Sequence, residues 1–167
     1  MAMISEPIVI TPESAFEAAV LDAVRDLVRG AGCGCLVVPK FGLDLALFLS
    51  REDRTYARFF EVKVYAAGRP GGVGFGTQKG EGPQVELLLC PDRDLGLLDT
   101  AVRWVLADAT RPPGSPRYAL FDCRRAKAAA MGAVRKGKQN NLRMSALQDC
   151  FQAWPELLGQ LQRFMFT

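Results

Sequence analysis

The chain has 167 residues, is 49% hydrophobic and 23% charged, and carries a net charge of +3, the make-up of an ordinary globular protein with a sizeable core. It has no histidine, which excludes Ser-His-Asp and Cys-His nucleophiles, histidine-ligated zinc and any histidine general base. A hydrolase built from it has to use carboxylates, lysine and a metal. No apolar run reaches the length of a membrane span, and Met1-Ala2-Met3-Ile4-Ser5-Glu6 lacks the basic and apolar regions of a secretory signal. A single domain over 1–167 in a reducing cytoplasm is expected. The cysteines Cys33, Cys35, Cys90, Cys123 and Cys150 are odd in number and scattered, which predicts free, mostly buried thiols rather than a zinc site.

Thr11-Pro12-Glu13 predicts a helix start: Thr11 as N-cap, proline in the first turn, an acid near the positive end of the dipole. Phe16, Val20, Val24, Leu27 and Val28 follow at helical spacing, and Gly30-Ala31-Gly32 ends the run. Glu17 lies beside this apolar stripe, with Glu13 one turn earlier. By itself either is an ordinary solvated acid. The stretch 33–41 holds a strand, Cys35-Leu36-Val37-Val38-Pro39, whose proline suggests an edge or a strand end.

Next come two apolar strands, 43–49 and 59–65, joined by Arg51-Glu52-Asp53-Arg54. Alternation puts Leu43, Leu45, Leu47 and Leu49 on one face and Asp44 on the other. In the second strand, Glu61 and Lys63 share the face opposite Phe60, Val62 and Val64. A turn centred between Glu52 and Asp53 sets Asp44 opposite Glu61 and Gly42 opposite Lys63. Facing carboxylates repel, and burying them is costly unless something pairs with them. Two such acids call for a cation, and all-oxygen donors select a hard one: Mg²⁺, Mn²⁺ or Ca²⁺. Lys63 is then placed to meet whatever anion the metal binds.

Residues 66–83 contain Gly68, Pro70, Gly71, Gly72, Gly74, Gly76, Gly80, Gly82 and Pro83, so no helix runs through them. They form either a floppy excursion or a loop over the charged face that offers Arg69, Gln78 and Lys79 to phosphates. Gly71-Gly72-Val73-Gly74-Phe75-Gly76 is not a P-loop, and no nucleotide cofactor is expected. Gln84 to Cys90 reads as a fourth strand. A helix capped by Asp92 or Asp94 is predicted over Leu95 to Asp108. Arg111-Pro112-Pro113-Gly114-Ser115-Pro116 is a hard break, and Tyr118 to Asp122 a fifth strand. Alternating strands and helices predict an α/β sandwich with a mixed sheet.

From Arg111 to Arg143 nine basic residues stand against Asp122 alone, a net +8 that leaves −5 for the rest of the chain. Such asymmetry is the footprint of a polyanion-binding surface, although a solubilising basic face is the common alternative. Arg124, Arg125, Lys127, Arg135, Lys136 and Lys138, with Arg69 and Lys79 from the glycine-rich run, are the candidate nucleic-acid contacts. The region 144–166 is helical by spacing and supplies core or a dimer face, with Pro155 expected to kink or split it.

Gly42-Leu43-Asp44 and Glu61-Val62-Lys63 on consecutive strands after a helix resemble the PD-(D/E)xK nuclease superfamily over roughly the first ninety residues. Leu43 stands where the family usually has proline. The resemblance implies a restriction-endonuclease-like core: a helix, a mixed central sheet with an antiparallel hairpin, and flanking helices. It implies Mg²⁺ or Mn²⁺ held by Asp44, Glu61 and the Val62 carbonyl, with Lys63 as the catalytic ammonium. It also implies a glutamate from the first helix, Glu17 or alternatively Glu13. The family commonly has a helix where this chain has the glycine-rich run 66–83, often bearing a glutamine or lysine, and without that helix the role does not carry over to Gln78 or Gln84. The expected activity is metal-dependent endonucleolytic cleavage of DNA, with a homodimer plausible. The alternatives are a catalytically silent nucleic-acid-binding module on the same fold, and a structural role in which Glu61 and Lys63 merely pair with Asp44 or Arg69.

Overall fold

The computed structural model describes residues 3–39, 42–69 and 71–167. Met1 and Ala2 of the N-terminus, Lys40 and Phe41 at the end of the first strand stretch, and Pro70 of the glycine-rich run lie outside the described residues. In chain order the elements are α1 (Glu13–Ala31), β1 (Gly34–Pro39), β2 (Leu45–Arg51), β3 (Arg54–Tyr65), β4 (Gly72–Phe75), α2 (Pro83–Leu89) and α3 (Asp92–Leu98). They continue with β5 (Val102–Asp108), β6 (Tyr118–Phe121), α4 (Cys123–Ala129), β7 (Asn140–Arg143), a 3-10 helix (Met144–Cys150), β8 (Phe151–Gln152) and α5 (Trp154–Phe166).

Six strands form one mixed sheet in the order β1-β2-β3-β5-β6-β8, and β4 pairs with β7 in a separate two-stranded ribbon. β3 and β5 are parallel and their neighbours antiparallel. Alternation along β3 splits the core in two. Phe60, Val62 and Val64 join Leu45, Leu47 and Leu49 beneath α1 and α5. On the other face Trp104 and Leu106 pack with Val85, Leu88, Leu95 and Ala126 from α2, α3 and α4. The chain is therefore an α/β protein with a mixed sheet covered on both faces. Among the described residues no helix is long and apolar enough to cross a membrane.

α1 buries Phe16, Val20, Ala23, Val24 and Leu27 and ends on Gly32 at φ 64°, a conformation glycine adopts freely. Its N-cap is Pro12, with no side-chain cap, so the expected cap at Thr11 falls one residue early. The Pro12 carbonyl already accepts Ala15 N–H at 2.9 Å. β1 is an edge strand ending at Pro39, where a missing N–H does no harm. In the hairpin Arg51 pairs with Arg54 and Leu45 with Phe60, the register expected from a Glu52–Asp53 turn. Glu52 takes φ 57° to close it.

Four expectations change. Leu43 does not share the Leu45 face: the chain bends at 42–44 before β2 begins, and Leu43 packs in the second core. The segment read as a fourth strand is α2, with Pro83 in its first turn and Val85 and Leu88 buried one turn apart. The helix over 95–108 is instead the short α3 followed by β5. A parallel partner for β3 has to be reached by a crossover, and a strand buried on both faces is a continuous apolar run with no alternation. Finally, the glycine-rich run is not a floppy excursion, since Phe75 of β4 is buried edge-on to Trp104 with ring centroids 5.7 Å apart.

The C-terminal region is not one helix. Pro155 sits in the first turn of α5, where its missing N–H is harmless, so it opens the helix rather than kinking it. Leu157, Leu161 and Met165 are core. All five cysteines are free, but only Cys123 is fully buried and the other four are half-buried.

Candidate functional site

β3 is longer than its hairpin partner. β2 begins at Leu45, opposite Phe60, so from Glu61 onward that edge of β3 has no strand beside it among the described residues. Two carboxylates take the strand's place. Val62 N–H donates to Asp44 Oδ2 at 2.8 Å, and Val64 N–H donates to Glu13 Oε2 at 3.0 Å. A residue's N–H and C=O face the same edge of a strand, so the Val62 carbonyl opens toward Asp44 as well. Asp44 comes from the bend before β2 and Glu13 from the first residue of α1.

Glu61 and Lys63 project from the other face of β3 into the side of the sheet covered by α2. Glu61 is completely buried and Lys63 is 9% exposed. Their charges meet at 2.8 Å between Lys63 Nζ and Glu61 Oε1. The same Oε1 accepts from Gln84 Nε2 at 2.9 Å. Lys63 Nζ also lies 3.4 Å from Glu13 Oε1. Glu61 Oε2 is buried with no hydrogen-bond partner, an arrangement that is costly for a carboxylate.

Burial pushes the Glu61 carboxyl up to about 7, with Lys63 opposing that rise and Asp44 adding to it. Burial works against the Lys63 ammonium, but Glu61, Glu13 and Asp44 outweigh it and hold Lys63 above its ordinary value. A carboxyl raised in the folded state keeps a proton that the unfolded chain has released. Its stabilisation is therefore full below about pH 4.5 and is lost as pH rises through about 7. In EDTA, urea titrations should show the wild type losing on the order of 3 kcal/mol across that window from this group. Glu61→Gln should remove most of the slope.

The structure thus brings Asp44, Glu61 and Lys63 to one end of β3, together with two residues of weaker sequence signal. The α1 glutamate that reaches Lys63 is Glu13, with Glu17 half-buried one turn further along. Gln84 was obscured by the strand reading of 84–90; on α2 its amide meets Glu61. The spacing of Pro83, Val85 and Leu88 is the signal that would have found it.

The expected nucleic-acid contacts divide into two groups. On α4, Arg124 pairs with Asp99 at 3.4 Å, Arg125 with Asp149, and Lys127 with Asp92 at 3.0 Å. Arg111 pairs with Asp108, and the buried Arg117 pairs with Glu6. These five cations are engaged by acids of the chain itself. Arg69, Lys79, Arg135, Lys136, Lys138 and Arg143 are exposed on or beside the β4–β7 ribbon. Of these six only Lys136 makes an ion pair, with Glu86, among the described residues.

Among the described residues no three of His, Cys, Asp and Glu group as a metal site. The donors on offer are two carboxylates, Asp44 and Glu61, and the Val62 carbonyl. This all-oxygen set fits a hard divalent cation, and the partnerless Glu61 Oε2 is the atom such an ion would satisfy. Compared with known proteins, the chain matches no family model, no curated protein and no solved structure.

Proposed function

We propose that this chain is a metal-dependent endonuclease that hydrolyses DNA phosphodiester bonds on a PD-(D/E)xK-type core. The observation that carries the reading is the meeting of Asp44, Glu61 and Lys63 at the end of β3, with one oxygen of the buried Glu61 left without a partner. The order of elements supports it too: a helix, three antiparallel strands, crossover helices, then a strand parallel to the third. So does the glutamine on the first crossover helix.

Asp44, Glu61 and the Val62 carbonyl would hold Mg²⁺ or Mn²⁺. When bound, the ion polarises the phosphate and lowers the pKa of a water. Lys63 neutralises charge on the phosphate oxygens as the water oxygen bonds to phosphorus and the leaving oxygen departs. Glu13 positions Lys63 while its other oxygen holds Val64 N–H. Gln84 and Lys63 both engage Glu61 Oε1, which reserves Oε2 as the donor.

Nicking of supercoiled plasmid with Mg²⁺ or Mn²⁺ tests this. Asp44→Ala and Glu61→Gln should each lower the rate by on the order of 10²–10³, and calorimetric Mn²⁺ binding should weaken in parallel. Undiminished cleavage by both variants would refute the assignment. Mn²⁺-independent DNA binding without any cleavage would favour the silent module instead.

A further inference from the structure

The β4–β7 ribbon and its flanking turns concentrate positive charge. Residues 66–82 and 130–143 contain six cations, Arg69, Lys79, Arg135, Lys136, Lys138 and Arg143, against one acid, Glu81. The two segments are far apart in sequence and meet because β4 pairs with β7 from Gly72–Arg143 to Phe75–Asn140.

Their turns are built as rigid presenters. Buried Asn140 fastens the 135–140 loop: its Oδ1 accepts Arg135 N–H at 3.0 Å, and its Nδ2 donates to the carbonyls of Arg135 and Lys138 at 2.9 and 3.0 Å. Gly80, at φ 68°, sits so close to Lys138 that a Cβ there would meet the Lys138 carbonyl oxygen at 2.3 Å. The two turns therefore interlock and carry Lys79 and Lys138 outward side by side. A loop of like charges held in one conformation is self-repelling, and a polyanion relieves that repulsion.

The ribbon is continuous with the candidate site. Tyr65 follows Lys63 on the same face of β3, and its hydroxyl donates to the Arg69 carbonyl at 2.9 Å. Arg69 lines a cleft with Gly68, Gly72, Met131 and Asn141. A guanidinium, an amide and an exposed thioether around bare backbone suit phosphate and sugar rather than an acidic peptide.

We propose that this ribbon is the surface on which the DNA backbone lies, and that the paired cations of α4 are not. The proposal rests on the nuclease reading for the identity of the polyanion, but its test does not depend on catalysis. Binding of a short fluorescein-labelled DNA duplex is measured by anisotropy in EDTA at several salt concentrations. The combined variant Lys79→Ser, Arg135→Ser, Lys138→Ser, Arg143→Ser should bind at least about 10-fold more weakly near 0.1 M salt. Its salt slope should fall by up to about 3.6, since each of the four lost phosphate contacts removes roughly 0.9. Its melting temperature should be unchanged, because these side chains are exposed and unpaired.

The combined variant Arg124→Gln, Arg125→Gln, Lys127→Gln should show the opposite: an unchanged salt slope and a lower melting temperature. Wild-type affinity and slope in the ribbon variant would overturn the proposal. So would a slope that disappears with the α4 variant, or absence of wild-type binding. Cleavage of the same duplex with Mg²⁺ is scored separately. Its absence, with ribbon-dependent binding intact, would sink the catalytic reading and leave this one standing.

Discussion

Lys63→Met is expected to lower the proposed Mg²⁺-dependent cleavage by about 10³-fold and to destabilise the fold in a pH-dependent way. Methionine keeps most of the stem's volume and removes only the ammonium. Glu61 then remains fully buried with Gln84 as its remaining neutral partner. Removing one member of a buried ion pair costs about 3–5 kcal/mol because the other charge is left uncompensated. Glu61 can escape by protonating, and its carboxyl already sits near 7. In EDTA the loss should therefore be about 3 kcal/mol at pH 8 and small at pH 5. Chemical denaturation at the two pH values measures it. An equal loss at both would show that Lys63 acts through packing, and that Glu61 does not depend on its charge.

Trp104→Ala should be the most damaging substitution of a residue with no proposed chemical role. Trp104 lies on β5 beside Glu61 of β3 and is 1% exposed. Its ring meets Phe75 edge-on at 5.7 Å and stacks on Phe121 at 6.3 Å. It joins the main sheet to the β4–β7 ribbon. Truncating a buried tryptophan costs about 3–5 kcal/mol. At about 2–4 °C per kcal/mol for a chain of this size, the melting temperature should fall by roughly 6–20 °C. Trp104→Phe should recover most of that. A fall no larger than that of an exposed substitution such as Arg93→Ala would contradict the central placement of this ring.

The hairpin was legible because its information is local. A two-residue turn sets the register of everything that follows, so Leu45 opposite Phe60 could be derived from the position of Glu52 and Asp53. Extending that register set Asp44 opposite Glu61, but the ladder stops at Leu45 and Asp44 instead accepts the Val62 N–H; alternation did place Lys63 beside Glu61. The helical stripe of α1 and its glycine stop were equally readable. By contrast, Gln84 to Cys90 and Val102 to Asp108 are short apolar runs, and periodicity does not separate a buried strand from a buried helix at that length. The two were assigned the wrong way round, and Gln84 was lost from the site with them.

The pairing within the basic segment was hidden for a different reason. Asp92, Asp99 and Asp149, which neutralise the α4 cations, lie on other elements of the chain, so a running charge count does not see the pairing. The glutamate of α1 shows the same limit: helical spacing left Glu13 and Glu17 both open. The contacts of Glu13 with Lys63 Nζ and Val64 N–H are made only when the start of α1 packs against the end of β3.

Residue order along two adjacent strands was enough to specify the acids and the ammonium, because a pleated backbone alternates and a tight turn counts. Burial of Glu61, the capping of the β3 edge by Asp44 and Glu13 and the separation of ion-paired from unpaired cations came from packing. Those properties depend on which distant segments pack against a charge and shield it from water, and neighbouring sequence carries no record of that.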